Sequence, residues 1–115
     1  MGAERRQHRR YAVNWRARIL LSDKSIHKVV IRDISAGGVA IEFDRVLPMG
    51  DIIGVEFYAN TAKGHARMRM RATVCHHTLL ANGMAFLGLE YYELQREVAH
   101  DLSNVLQLLQ DSSSG

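Results

Sequence analysis

From Tyr11 onward, apolar and polar residues alternate. Tyr11, Val13, Trp15, Ala17, Ile19 and Leu21 share one parity, and Asn14, Arg16 and Arg18 take the other. This is the pattern of a strand buried on one face. Ser22-Asp23-Lys24-Ser25 reads as a turn, and residues 26–34 as the returning strand. Asp33-Ile34-Ser35-Ala36-Gly37-Gly38 interrupts the alternation, which resumes at Val39, Ile41 and Phe43. Leu47-Pro48-Met49-Gly50-Asp51 has proline and glycine placed to reverse the chain. Ile53, Val55 and Phe57 follow on a fourth strand. Beyond Lys63-Gly64, Ala66, Met68, Met70, Ala72 and Val74 alternate against Arg67, Arg69 and Arg71. Asn82-Gly83 then signals a hairpin into a last strand over 84–91. From there the period lengthens. Leu94, Val98, Leu102, Val105, Leu106 and Leu109 recur at helical spacing, predicting one amphipathic helix over 93–110. Six short strands joined by hairpin turns predict a mainly β fold, a small antiparallel barrel with the terminal helix covering one end.

Residues 1–10 show no such period and read as a flexible arginine-rich arm ahead of one domain over 11–110, with residues 111–115 as a disordered tail. Residues 1–18 hold six arginines against Glu4, a local +5, which leaves the remainder at −2 within the overall +3. A mildly acidic domain with a basic leader predicts an anionic partner. The single Cys75 rules out an internal disulfide, in keeping with a reducing compartment. No apolar run approaches the ~20 residues needed to span a bilayer, and no apolar segment follows the arginines as it would in a secretory signal. The expected location is cytoplasmic.

Two constellations carry chemistry. Arg5-Arg6-Gln7-His8-Arg9-Arg10 concentrates the planar, permanently charged fork that grips phosphate in a fixed orientation. The same fork addresses the O6/N7 edge of guanine and stacks on bases. A solvated tail or a nonspecific nucleic-acid clamp is the plainer alternative. Asp33, Ser35 and Gly38, spaced D-x-S-x-x-G, sit where a strand ends in a glycine-rich turn. A carboxylate there accepts from both N1–H and N2–H of guanine, a pattern adenine lacks, with a serine hydroxyl beside it. Gly38 offers positive φ and room for a ligand. The plainer alternative is an ordinary turn in which Asp33 and Ser35 bond to nearby backbone.

Taken together, R-x-x-x-R before the first strand and D-x-S-x-x-G at the end of the second resemble the PilZ domain. Arg6 to Arg10 match the first motif, with Glu4 and Arg5 ahead of it. Asp33 to Gly38 match the second without substitution, and Gly83-Met84-Ala85-Phe86-Leu87-Gly88-Leu89-Glu90 resembles the strand that closes the PilZ barrel. Arg5 and Arg9 satisfy the same R-x-x-x-R spacing. The Arg6/Arg10 register is taken because Tyr11 then starts the strand directly after the motif. The resemblance implies a six-stranded barrel that binds cyclic di-GMP on its outer face and signals to a downstream protein effector. Arg6 and Arg10 would contact phosphates and guanine edges, Asp33 and Ser35 would read a base, and Gly38 would leave space for it. Arg5 just ahead of the motif implies two nucleotides per chain. The arm would order as ligand binds.

Other chemistries find less support. On a regular strand Cys75-His76-His77 cannot converge on one metal ion, so no metal or cofactor is expected, Cys75 reads as half-buried and the histidines as a strand end near the ligand. The Arg67/Arg69/Arg71 stripe is a solvated face, an extension of the basic surface or a surface for an acidic partner. No nucleophile motif, H-E-x-x-H or phosphate loop appears, so an enzyme is not expected. The alternative function is a small β-barrel that binds RNA or single-stranded DNA through its arginine arm. Only Tyr11 lies near the arm to stack a base, which weighs against nucleic acid.

Overall fold

The computed structural model describes residues 8–114. Six antiparallel strands, β1 (Tyr11–Leu20), β2 (Ile26–Ile34), β3 (Gly38–Phe43), β4 (Ile52–Thr61), β5 (Gly64–Leu79) and β6 (Ala85–Tyr92), close into a barrel in the order β1-β2-β3-β6-β5-β4. The helix α1 (Arg96–Ser114) follows. This is the mainly β architecture that the alternation predicts. The inward parity fills the barrel: Ile19, Ile31, Ile41, Phe57, Met68, Val74 and Leu87 are all fully buried. Trp15 packs against this core, with its ring 5.9 Å from that of Phe57.

The hairpins use the expected turn residues. Gly64 and Gly83 take φ of 115° and 85°, the left-handed region glycine enters without steric penalty. Asn82 Oδ1 accepts the Met84 amide at 2.9 Å, a local side-chain bond that pins the last turn.

The barrel closes least completely between β1 and β4, which pair only over Arg18↔Glu56, Ile19↔Val55 and Leu20↔Gly54. Beyond Glu56 the two strands part, and α1 covers the seam, packing on β4 and β5 and reaching β1. Leu102 and Val105 are its buried face, with Val98, Leu106 and Leu109 beside them. The helix differs from the periodicity at both ends. It begins at Arg96 and continues through Ser114, so residues 111–114, expected as a disordered tail, form its last turn. Gln107 donates to Asp111 at 3.0 Å, an i,i+4 bond that carries the helix past the last apolar position. No helix among the described residues is long and apolar enough to cross a membrane.

Candidate functional site

Arg10, the last residue of the first motif, meets the second motif through strand pairing. Tyr11 lies opposite Ile34 in the β1–β2 ladder. Arg10, one residue before β1, therefore stands beside the turn that follows β2. Arg10, Asp33, Ser35, Gly37 and Gly38 line one cleft of about 230 Å³ on the outer wall, together with Cys75, His76, Phe86 and Glu90. The neighbouring Arg9 takes another course, its guanidinium 5.0 Å from the centre of the Tyr11 ring. Arg5 and Arg6 lie outside the described residues.

Two β-bulges shape the cleft. Strict alternation after the buried Val29 and Ile31 would turn Asp33 inward. Instead the β2–β3 register shifts between Ile31 and Asp33. Ile34 then enters the core while Asp33 is left half-buried in the cleft wall. A second shift lies between Val74 and His76 in β5–β6. It makes Cys75 the extra residue and leaves both Cys75 and His76 exposed and lining the cleft. Bulges re-aim side chains in this way beside binding sites. Cys75, expected half-buried, is exposed, and its thiol donates to the Gly88 carbonyl at 3.3 Å. Local desolvation first, and then Glu90, push this thiol above its usual pKa, with Arg10 pulling the other way. Cys75 is thereby held as a neutral thiol. Among the described residues no group of three or more His, Cys, Asp or Glu side chains could hold a metal ion.

The D-x-S-x-x-G turn is built from Ser35. Its amide donates to the Gly38 carbonyl at 2.9 Å, and its Oγ accepts from the amides of Gly37 at 3.1 Å and Gly38 at 3.2 Å. The hydroxyl also lies 3.3 Å from the Gly38 carbonyl, to which it donates. Two acceptances and one donation use the full capacity of a hydroxyl, so buried Ser35 shapes the turn and has no free bond with which to read a base. Asp33 is different: among the described residues its carboxylate has no hydrogen-bond partner.

Gly38 also has a different reason from the one its motif suggests. Its φ is not positive. A Cβ there would sit 2.0 Å from the Leu89 carbonyl oxygen, so glycine is required by the close approach of β3 to β6. At Gly37 a Cβ would meet the His8 ring at 2.7 Å, which places the His8 side chain over the turn.

Tyr91 was not singled out by any motif, yet it holds the turn from behind. Its hydroxyl donates to the Ser35 carbonyl at 2.9 Å, and its amide donates to the Gly37 carbonyl at 3.0 Å. Burial, reinforced by Asp33, pushes the phenol well above its ordinary pKa, so it remains a donor at every physiological pH. Tyr91→Phe should lower stability by about 1–2 kcal/mol, because a part-buried carbonyl loses its donor. Urea unfolding measures this, and an unchanged midpoint would show that the phenol does not brace the turn.

The PilZ domain family model matches residues 4–108. The chain belongs to the PilZ family. No curated protein matches the sequence of this PilZ domain. Among solved structures, it is similar to the Bacillus subtilis inhibitor of motility MotI/DgrA, with 18% identity and a TM-score of 0.78 over 94% of this chain and 51% of that one. It is also similar to the PilZ domain of YcgR from Escherichia coli, solved with c-di-GMP. There the identity is 15% and the TM-score 0.69, over 95% of this chain and 94% of that one. The PilZ domain of CeSA from a cellulose-synthesizing bacterium gives 15% identity and a TM-score of 0.63, over 87% and 97%. At these identities the likeness is one of fold. The PilZ domain described here spans about half the length of the MotI/DgrA chain.

Proposed function

We propose that this PilZ domain is a cytoplasmic, non-enzymatic receptor for cyclic di-GMP that passes the signal to a protein effector. The observation that carries the proposal is the meeting of Arg10 and Asp33, distant in sequence, in one cleft on the barrel wall. A cation there faces phosphate or the guanine O6/N7 edge, and a carboxylate with open acceptor sites faces N1–H and N2–H. Binding of c-di-GMP by the similar PilZ domain of YcgR is in keeping with this chemistry.

The cleft is smaller than the roughly 300–1,000 Å³ of most ligand pockets. It suits one guanine base, and the rest of the dinucleotide needs a second wall. The arm carrying Arg5 and Arg6 supplies that wall in this proposal, ordering over the ligand. Fixing its backbone costs roughly 1–2 kcal/mol per residue, which several charge-assisted bonds offset. Arg5, ahead of Arg6, is assigned to a second, stacked nucleotide.

Calorimetry with cyclic di-GMP and cyclic di-AMP tests the proposal. Wild type should bind the guanine dinucleotide preferentially, with two ligands per chain, and Asp33→Ala should narrow the preference. Equal affinity for the two nucleotides would overturn base reading, and absence of heat with either would overturn the receptor assignment. Amide relaxation of residues 4–10 should slow on binding. Equal mobility in both states would remove the switch.

A further inference from the structure

The strand register brings charges together on a second stretch of the outer surface, across β2, β1, β4 and β5. Lys28 lies opposite Arg18, Arg18 opposite Glu56, and Glu56 opposite Arg69, a single row across β2, β1, β4 and β5. The next row runs Ile26, Leu20, Gly54, Arg71 and Tyr92. Cross-strand neighbours on one face are close enough to act together.

Glu56 organises this surface. One of its oxygens accepts from Arg18 and the other from Arg67 at 2.7 Å, with Arg69 at 3.6 Å. A lone carboxylate under three guanidinium groups holds them side by side, and each fork retains donors pointing outward. Arg71 pairs with Glu93 at 3.1 Å and lies over the Tyr92 ring. Lys28, Arg18, Arg67, Arg69 and Arg71 thus outnumber Glu56 and Glu93, and the excess positive charge is solvent-facing. Ile26 and Leu20 project beside it, 62% and 46% exposed. Gly54, which has no side chain, leaves a groove of about 620 Å³ between Leu20, Arg69 and the entry to α1 at Leu94 and Val98.

We infer that this groove docks an acidic peptide segment of a protein partner, one with carboxylates flanking an aliphatic side chain. Charge complementarity selects the carboxylates, which meet arginine forks already positioned to bind them in bidentate fashion. The exposed Ile26 and Leu20 supply an apolar contact that a polyphosphate chain would not use. Glu56 and Glu93 interrupt the positive surface, and Tyr92 is covered by Arg71, so neither a continuous phosphate track nor a free stacking platform is offered. The groove and the cleft share no lining residue.

The test is a selection from a random peptide library against the full chain without nucleotide, followed by fluorescence anisotropy of the enriched peptides. Enriched sequences should combine several Asp or Glu residues with a Leu, Ile or Phe. They should bind the double variant Arg69→Glu, Arg71→Glu at least about tenfold more weakly, and Ile26→Ser a few-fold more weakly. Both variants should retain the wild-type circular dichroism spectrum and cyclic di-GMP affinity. Failure of enrichment, peptides indifferent to the charge reversal, or tighter binding of a single-stranded oligonucleotide of equal charge would each overturn the assignment. Because nucleotide is omitted from the selection, a chain that binds no cyclic di-GMP would leave the peptide-binding outcomes unaltered, with circular dichroism alone as the folding control.

Discussion

Gly38→Ala should destabilise the domain by on the order of 3 kcal/mol, the upper range for forcing extra atoms into a packed structure. The Cβ would stand 2.0 Å from the Leu89 carbonyl oxygen and 3.0 Å from its carbon. Both atoms belong to backbone that is paired along β3–β6 from Gly38↔Glu90 to Phe43↔Ala85. No rotamer change relieves such a contact; the strands have to separate, and the turn that Ser35 builds moves with them. Gly37→Ala is the control. Among the described residues, the nearest atoms its Cβ would meet belong to the ring of His8, an exposed side chain that can swing away. Thermal and urea unfolding should therefore separate the two alanines by a wide margin. A Gly38→Ala protein as stable as Gly37→Ala would mean that β3 and β6 do not approach this closely.

Arg10→Ala should weaken cyclic di-GMP binding at least tenfold, and Arg9→Ala far less. Arg10 lines the cleft with Asp33, whereas Arg9 is engaged by the Tyr11 ring. Hydrogen bonds to a charged group contribute roughly 1.5–3 kcal/mol each, and a tenfold change corresponds to ~1.4 kcal/mol, so the loss of one such bond suffices. Arg10 is exposed and outside the core, so its removal should leave the unfolding midpoint near that of the wild type. Equal losses at positions 9 and 10, measured by calorimetry, would refute the assignment of the cleft arginine. The same comparison bears on the motif register, because Arg9 closes the Arg5 pairing and Arg10 the Arg6 pairing.

The strands, their hairpins and the helix were legible because each has a local signature: a period of two, a glycine or asparagine turn, a period near 3.6. The family and its two motifs were legible for a similar reason, since residue type and spacing carry them. His76 was expected near the ligand, but Cys75, Glu90 and Tyr91 were not legible as parts of the site. They come from β5 and β6, and only the closure of the barrel brings them beside β2 and β3.

The amino-acid order by itself determined which segments are strands, which residues fill the barrel where alternation is unbroken, and that an arginine leader and an acidic turn accompany each other. Tertiary structure alone decided where the turn's side chains point. The bulges at Asp33 and Cys75 depend on register with a neighbouring strand, and register is a property of the pair and is not encoded in either strand's own alternation. It also decided that Ser35 is consumed by its own turn, that Gly38 serves the β3–β6 contact, and that Lys28, Arg18 and Arg69, scattered along the chain, lie in one row around Glu56. The last two follow from distances across strands, which a single chain acquires only once the sheet has closed, whereas the Ser35 bonds run within its own turn, to Gly37 and Gly38.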